Sequence, residues 1–420
     1  MNGFEAFLNQ ELCRLEAHHL RRQLRTVQSL PRQRVATPQG VLVQFSSNDY
    51  LGLAQHPMIR AAAAEGAAAG AGAGAARLVS GTFEAHASLE RVLAEFKGAE
   101  RALTFASGYA AALGVIPALV GPGDCVVLDR LSHACLVDAA RLSGARLRVF
   151  RHNDVEDLDR ILRWAGEARR RGFRRAAGAM AMAGEGMTGG QGEGRVLIVT
   201  ESVFSMDGDR APLREIVDCK DRHGAWLMVD EAHATGMAGA GRRGVIEELG
   251  LEGRVEVPMG TLGKALGSAG GFVTGSVALI EFLVNRARSF VFSTAPPPAV
   301  AAAATAAVGL VRGATGAELV ARLRANVDLL HRGLTGQGWT LPPPVSPILP
   351  LHIGEEETAV RVAGALRDEG FLVPAIRYPT VARGRARLRV TVSAAHEAED
   401  LAAFLSALPK ALARTGLRPA

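Results

Sequence analysis

The chain of 420 residues is poor in aromatic residues, which make up 5% of it, and has only four cysteines. So few aromatics disfavour a core built on large rings and favour layered helix and sheet packing around Ala, Val and Leu. The cysteines form no Cys-x-x-Cys pair and show no histidine spacing typical of zinc, so neither a metal site nor a disulfide framework is predicted. Reduced thiols are typical of the cytoplasm, and we expect a cytoplasmic protein.

Long apolar runs are also missing from the sequence. Residues 102–123 contain several glycines and prolines, and residues 289–311 are cut by Pro296-Pro297-Pro298. Neither segment supplies about 20 unbroken apolar residues, the length that a membrane helix needs. The N-terminus has an early acid at Glu5 and no apolar core, so no signal peptide is expected. We predict no membrane partner.

Charge of one sign is not in large excess. The net charge is +6, and the basic residues are dispersed apart from a run of arginines within residues 169–175. This balance indicates solubility rather than nucleic-acid binding, and we predict no nucleic-acid partner. A non-catalytic scaffold that binds nucleic acid through the arginine run is the alternative from a different functional class.

Short apolar runs alternate with helical segments along most of the chain. This order is typical of βαβ units and predicts an α/β fold with a mostly parallel central sheet flanked by helices. We expect an N-terminal helical arm and small strand segment over residues 1–50, with the helix over 4–25, and a large α/β domain over 51–298. A smaller C-terminal α+β domain is expected over 299–420. The arginine- and glycine-rich residues 163–195 are interpreted as an insertion that forms a surface loop.

Polar residues follow two of the predicted strands. Asp230 comes directly after the run Trp226-Leu227-Met228-Val229, His233 lies three residues later, and Lys264 follows another strand-like stretch. Ligands of such sheets bind at the carboxyl ends of the strands. A P-loop is excluded at Lys264, because Pro258 replaces its first glycine and Ala265 its hydroxyl residue.

A lysine and an aspartate at strand ends are what an enzyme dependent on pyridoxal 5′-phosphate (PLP) requires. The lysine forms a Schiff base with the cofactor, and the aspartate keeps the pyridine nitrogen protonated so that the ring accepts electrons. Ser107-Gly108-Tyr109 precedes an Ala-rich helix, whose N-terminal amides could bind the phosphate. The sequence therefore predicts PLP as the cofactor.

Several blocks of sequence, in order, resemble the α-oxoamine synthases, which are PLP enzymes of the aspartate-aminotransferase fold type I. The similarity runs from about residue 20 to 410. It is carried by residues 45–53 (FSSNDYLGL), 77–82 (RLVSGT), 129–134 (DRLSHA), 203–209 (VFSMDGD), 229–233 (VDEAH), 261–264 (TLGK) and 375–377 (AIR). The glycine-rich part of the insertion departs from the family pattern but leaves these blocks intact.

The resemblance implies a role for each matching residue. Lys264 would hold the cofactor and act as the base, Asp230 would pair with the pyridine nitrogen, and His133 would stack on the ring. The other implied contacts are His233 and Ser205 to the phenolic oxygen, Thr261, Gly108 and Tyr109 to the phosphate, Asn48 and Arg389 to the amino-acid carboxylate, and Arg21 and Thr380 to the acyl substrate.

The resemblance also implies a reaction. We expect decarboxylative condensation of L-alanine with a pimeloyl thioester, carried by coenzyme A (CoA) or by an acyl carrier protein, in a homodimer. The alternative is a sister activity that uses glycine and a short acyl-CoA such as acetyl-CoA. The block at residues 77–81 favours the alanine and pimeloyl pair.

Overall fold

The computed structural model describes residues 3–170 and 194–417. The predicted surface loop over residues 163–195 is wrong for residues 163–170, which belong to a helix that ends at Arg170. Most of its glycine-rich part lies outside the described ranges. The chain separates into two compact units. The central unit comprises Pro57–Phe204 and Arg210–Ala314, and the terminal unit comprises Met1–His56, Ser205–Asp209 and Thr315–Ala420.

Helices and strands alternate over most of the described ranges. The helices are α1 Gly3–Ala17, α2 Pro57–Ala67, α3 Glu84–Lys97, α4 Gly108–Leu119, α5 Ala134–Leu142, α6 Val155–Arg170, α7 Leu213–His223, α8 Val245–Glu248, α9 Val277–Arg286, α10 Arg288–Val291, α11 Pro298–Arg312, α12 Ala314–Gly336, α13 Glu356–Asp368 and α14 Ala398–Thr415. The strands are β1 Gln28–Leu30, β2 Arg34–Thr37, β3 Gly40–Gln44, β4 Arg101–Phe105, β5 Cys125–Asp129, β6 Arg146–Phe150, β7 Val196–Glu201, β8 Trp226–Asp230, β9 Val257–Thr261, β10 Gly271–Gly275, β11 Ile348–Gly354, β12 Phe371–Leu372, β13 Ala375–Ile376 and β14 Ala386–Thr391.

The central unit is built on one mixed sheet, with the strand order β4-β10-β9-β8-β7-β5-β6 in the described residues. The pairs β5/β6, β5/β7, β7/β8 and β8/β9 are parallel, and β10 is antiparallel to both of its neighbours. Val127 and Ile198 belong to one buried apolar cluster, whereas Val126 and Leu197 belong to another. Alternate residues therefore face two separate cores, and helices cover both faces of the sheet. The predicted α/β fold with a mostly parallel sheet is confirmed.

The terminal unit contains two smaller sheets in the described residues, with the orders β1-β2-β3-β12 and β11-β14-β13. β12 pairs in parallel with β3, so the two ends of the chain share a sheet. Phe45, which follows β3, stacks on His396 with ring centroids 4.4 Å apart and contacts Phe404 at 4.6 Å. A smaller α+β assembly at the C-terminus was expected, and here it includes the N-terminal segment.

The observed units differ from the expected division into residues 1–50, 51–298 and 299–420. Helix α11 belongs to the central unit, where it packs on α2 so closely that a Cβ built at Gly66 would lie 2.7 Å from that of Ala302. The N-terminal helix also ends earlier than residue 25. Helix α1 stops at Ala17, and His19 adopts a left-handed backbone with φ of 55°, which terminates the helix. No single helix in the described ranges is both long and apolar enough to cross a membrane; α11 and α12 meet the length and composition only when taken together.

Candidate active site

Two buried carboxylates lie side by side at the carboxyl ends of neighbouring parallel strands. Asp230 is the last residue of β8 and pairs in register with Glu201, the last residue of β7. Asp230 is 7% exposed and Glu201 is 2% exposed. The Oδ1 atom of Asp230 accepts a hydrogen bond from the amide of Ala232 at 2.8 Å, which fixes the orientation of its carboxylate. This is the edge of the sheet at which the sequence predicts the site.

Burial raises the pKa of Asp230, and the nearby positive charge of Lys264 opposes this effect. Burial also raises the pKa of Glu201, to about 8, with a further increase from the negative charge of Asp230. Two like charges in one water-poor site disfavour each other, so burial and the charge of Asp230 both favour the protonated form of Glu201.

Lys264 lies in the tight turn that follows β9. Backbone hydrogen bonds from Gly267 to the Lys264 carbonyl and from Ser268 to the Leu262 carbonyl, both 2.9 Å long, close this turn. The Lys264 Nζ atom lies 2.8 Å from Nε2 of His233, which is 5% exposed. Lys264, His233 and Asp230 are therefore brought together as the sequence predicts.

His133 caps the N-terminus of α5 beside these groups. Its backbone amide donates to Oε1 of Glu201 at 2.5 Å, and its Nδ1 accepts from the amide of Cys135 at 3.2 Å. Although the residue is exposed, partial desolvation and the charge of Lys264 lower the pKa of His133, and Asp230 opposes the shift. Glu201 thus connects His133 to the end of β7.

The N-terminus of α4 lies at the same edge of the sheet. Ser107 caps the helix by accepting a hydrogen bond from the Ala110 amide at 3.0 Å. A Cβ built at Gly108 would lie 3.9 Å from Cβ of Thr261, and one built at Gly271 would lie 2.6 Å from Cα of Gly108. Glycine is therefore required at 271 for this close approach, which sets the free amides of α4 beside Thr261. The phenol of Tyr109 donates to Asp138 at 2.5 Å.

The residues of the central unit fit PLP by their chemistry. An amine at Lys264, a buried carboxylate at Asp230 and the first amides of α4 supply the three interactions that its aldehyde, pyridine nitrogen and phosphate need. The donors are those of the predicted site.

The other predicted site residues belong to the terminal unit. Arg389 is 4% exposed, and its Nε donates to the Ser205 carbonyl at 2.6 Å. Its Nη1 donates to Asn48 Oδ1 at 3.1 Å and to the Thr391 hydroxyl at 2.9 Å, and its Nη2 lies 3.5 Å from the hydroxyl of Tyr50. All of these partners are neutral, and no carboxylate pairs with Arg389 among the described residues.

Arg21 and Thr380 are exposed residues of the terminal unit. The backbone carbonyl of Arg21 accepts from Nη2 of Arg377 at 3.0 Å, and the hydroxyl of Thr380 accepts from Arg22 at 3.4 Å. Ser205 lies in the terminal unit and His233 in the central unit. Their predicted joint contact to the phenolic oxygen stays a prediction.

Two residues of the site were not identified from the sequence. Glu201 follows the run Val196–Val199 by two positions, and extending that strand would have placed a carboxylate beside Asp230. Tyr50 belongs to the block at residues 45–53. It is completely buried against Arg389, and nothing in the sequence of that block indicates this contact.

Known proteins resemble the chain over nearly its whole length. The family model for aminotransferase class I and II matches residues 41–408. An 8-amino-7-oxononanoate synthase of Geobacter sulfurreducens is 45% identical over 95% of this chain and 96% of its own length. One of Anaeromyxobacter dehalogenans (strain 2CP-1) is 47% identical over 97% of this chain and 95% of its own length.

Solved structures agree with this assignment. Sphingomonas wittichii serine palmitoyltransferase superposes with a TM-score of 0.86 at 31% identity, and covers 100% of this chain and 99% of its own. A serine palmitoyltransferase structure with PLP also has a TM-score of 0.86, at 30% identity over 99% of this chain and 100% of its own. The predicted cofactor is confirmed as PLP. The chain belongs to the class I and II aminotransferase family and, within it, to the 8-amino-7-oxononanoate synthases.

Proposed function

We propose that the protein condenses L-alanine with a pimeloyl thioester to give 8-amino-7-oxononanoate, carbon dioxide and the free thiol carrier. The observation that carries this proposal is the group formed by Lys264, His233 and Asp230 at the ends of β8 and β9. The names of the similar synthases support the choice of product.

PLP, when bound, supplies an electron sink that stabilises negative charge on the amino-acid Cα. Lys264 would hold the cofactor and, once alanine has displaced it, would take the Cα proton on Nζ. A base must be neutral to accept a proton, and His233 at 2.8 Å is placed to share or receive a proton from this amine. The short contact supports a proton-transfer role for Lys264.

The carboxylate of Asp230 would bind the protonated pyridine nitrogen of the cofactor. A carboxylate buried in this way is costly unless it has a cation beside it, and the raised pKa of Asp230 reflects that cost. A protonated ring nitrogen would supply the missing positive charge. His133 would cover one face of the ring, Ser205 and His233 would contact its phenolic oxygen, and Thr261 with the amides of Gly108 and Tyr109 would hold the phosphate.

Arg389 would bind the carboxylate of alanine, with Asn48 alongside. The Arg389 guanidinium is buried, and its acceptors among the described residues are all neutral, so its charge is incompletely compensated. A carboxylate offers two oxygens to its donors. Arg21 and Thr380 would contact the acyl substrate.

The test is a crossed assay that measures thiol release with pimeloyl-CoA or acetyl-CoA and with alanine or glycine. Four additional buried methylenes, at about 0.8 kcal/mol each, supply roughly 3 kcal/mol, so we expect at least about a hundredfold preference in kcat/KM for the alanine and pimeloyl pair. Mass spectrometry should identify 8-amino-7-oxononanoate. Lys264→Ala is the inactive control. A preference for glycine and acetyl-CoA would contradict the proposal and assign the sister activity.

We also propose a homodimer, tested by light scattering of the purified protein, and a cytoplasmic location. Free thiols at all four cysteines support a reducing compartment: Cys125, Cys135 and Cys219 are buried, and Cys13 is exposed.

A further inference from the structure

Three side chains that can bind a metal meet on helices α6 and α7 of the central unit. Cys219 and His223 lie one turn apart on α7, a spacing that brings both side chains to the same face of the helix. Asp159 lies on α6, which packs beside α7. The three residues are hereafter the α6–α7 group. Each offers one possible ligand atom, and these atoms all lie within 4.8 Å of one another.

The carboxylate of Asp159 lies at the centre of the α6–α7 group. Its Oδ1 atom is 2.9 Å from Nε2 of His223 and 3.6 Å from Sγ of Cys219. In a tetrahedral zinc site with bonds of about 2.0–2.3 Å, neighbouring ligand atoms are about 3.3–3.6 Å apart. The two observed separations differ from this range by roughly half an ångström or less. Small rotations of the side chains would therefore admit the ion.

Oδ1 of Asp159 has more donors than it can satisfy. A guanidinium nitrogen of Arg222 also approaches this atom, at 3.2 Å, so three donors converge on one oxygen that has two lone pairs. A single ion bonded to the oxygen, the imidazole nitrogen and the sulfur would replace the shared protons. It would satisfy Asp159, Cys219 and His223 at once.

Two arginines would compete with an ion for Asp159. Arg163 lies 3.1 Å from Oδ2, and Arg222 lies beside Oδ1. Their side chains are 66% and 58% exposed, so each ion pair contributes little to stability and each guanidinium can turn into solvent. Cys219, in contrast, is fully buried, and the side chain of His223 is 20% exposed. The fold holds these two ligands in place while the arginines are free to move.

We propose that Asp159, Cys219 and His223 bind one zinc ion, with solvent at the fourth position, and that this ion ties α6 to α7. A thiolate, an imidazole and a carboxylate suit zinc, whereas magnesium and calcium prefer oxygen ligands alone. The thiol proton leaves to solvent as the bond to sulfur forms. Because Asp159 comes from a different helix, the spacing of cysteines and histidines along the chain does not reveal the site.

The zinc ion is expected to affect stability and not the reaction. His223 ends α7, and the chain then enters β8 at its amino end. The candidate active site lies at the opposite, carboxyl ends of the strands. A metal that joins two outer helices stabilises the folded protein, because the unfolded chain does not hold the three ligands together.

The test uses the holoenzyme after treatment with EDTA and removal of free PLP, which also binds zinc. Competition with a chromophoric chelator measures how many zinc ions bind and how tightly. We expect one zinc ion per chain with a Kd tighter than about 1 µM, unaffected by an excess of magnesium.

Cys219→Ser and His223→Gln each remove one ligand atom, and we expect each to weaken zinc binding at least about a hundredfold. The matched controls Cys13→Ser and His18→Gln change the same residue types at exposed positions and should bind zinc like the wild-type protein. Micromolar zinc should raise the Tm of the wild type and of both controls, but not that of the two ligand variants. An unchanged absorbance spectrum of the bound cofactor shows that each variant is folded.

Cobalt(II) in place of zinc reports the ligands directly. A tetrahedral cobalt site gives intense visible bands at longer wavelengths than the cofactor absorbs, and a bond to sulfur adds a charge-transfer band that Cys219→Ser should abolish. Weak binding of several ions, binding that survives both ligand substitutions, or the pale spectrum of octahedral cobalt would overturn the proposal. None of these measurements requires the condensation to occur, so they stand or fall independently of the proposed function.

Discussion

Replacing Glu201 with glutamine tests how the two buried carboxyl groups at the ends of β7 and β8 share charge. Glutamine keeps the shape of the side chain. It also keeps an oxygen that can accept the hydrogen bond from the backbone amide of His133, whose nitrogen lies 2.5 Å from Oε1 of Glu201. It removes only the ability to ionise. The comparison therefore isolates the cost of keeping Glu201 protonated in the folded protein.

The size of this cost follows from the shift of the Glu201 pKa from its usual 4.5 to about 8. A carboxyl group whose pKa is raised by folding makes the folded protein less stable as the pH rises above the pKa of the unfolded state. The loss of stability levels off above the pKa of the folded state. At about 1.4 kcal/mol per pH unit, the penalty is about 1 kcal/mol at pH 5 and about 3 kcal/mol at pH 7. It approaches about 5 kcal/mol above pH 8.

We therefore expect Glu201→Gln to be more stable than the wild-type protein, by a margin that grows from pH 5 to pH 8. Urea denaturation of the apoprotein at several pH values measures the free energy of unfolding of both. Glu252→Gln, at an exposed position, should show no such trend. Infrared spectra should also contain a protonated carboxyl band at pH 7 that is absent from Glu201→Gln. Stability profiles that run parallel across pH, with no such band, would refute the argument.

Three further experiments test the site. Borohydride reduction of the holoenzyme should attach the pyridoxyl group to Lys264, and peptide mapping that found it on Lys97 or Lys220 would disprove the assignment. Asp230→Asn should bind the cofactor yet exchange the α-proton of alanine with deuterated water orders of magnitude more slowly, because a neutral amide cannot stabilise a protonated ring nitrogen. Arg389→Lys should raise the KM for alanine about tenfold, since one ammonium replaces a two-pronged donor; an unchanged KM in steady-state assays would remove Arg389 from substrate binding.

The centre of the candidate site could be predicted because its residues follow short apolar strands. Asp230 and Lys264 each come after such a strand, and parallel strands bring their carboxyl ends to one edge. Glu201 was not predicted in this way, because the apolar run before it ends at Val199. The pairing of β7 with β8 continues for two more residues. The end of a strand depends on its pairing with the neighbouring strand. The residue pattern of one segment contains no information about that pairing.

Long-range pairing explains the other differences. The leucine spacing near the N-terminus continues past Ala17, but Leu20 is buried and the chain leaves the helix at that point. The apolar run of β10 does not show that this strand is antiparallel to its neighbours. The two units could not be derived for the same reason, because residues near 43 pair with residues near 371.

The parallel pairing of β3 with β12 has a consequence for synthesis on the ribosome. Residues 28–44 emerge early and belong to a sheet whose last strand is made more than 300 positions later, so this sheet stays incomplete while the whole central unit is translated. At roughly 5–20 residues per second, the delay is on the order of 15 to 60 s. During that interval the edge of β3 is open to pairing with other nascent chains. A chain stopped after residue 314 would retain this open edge permanently, so we expect such a fragment to aggregate even though it contains every residue of the central unit.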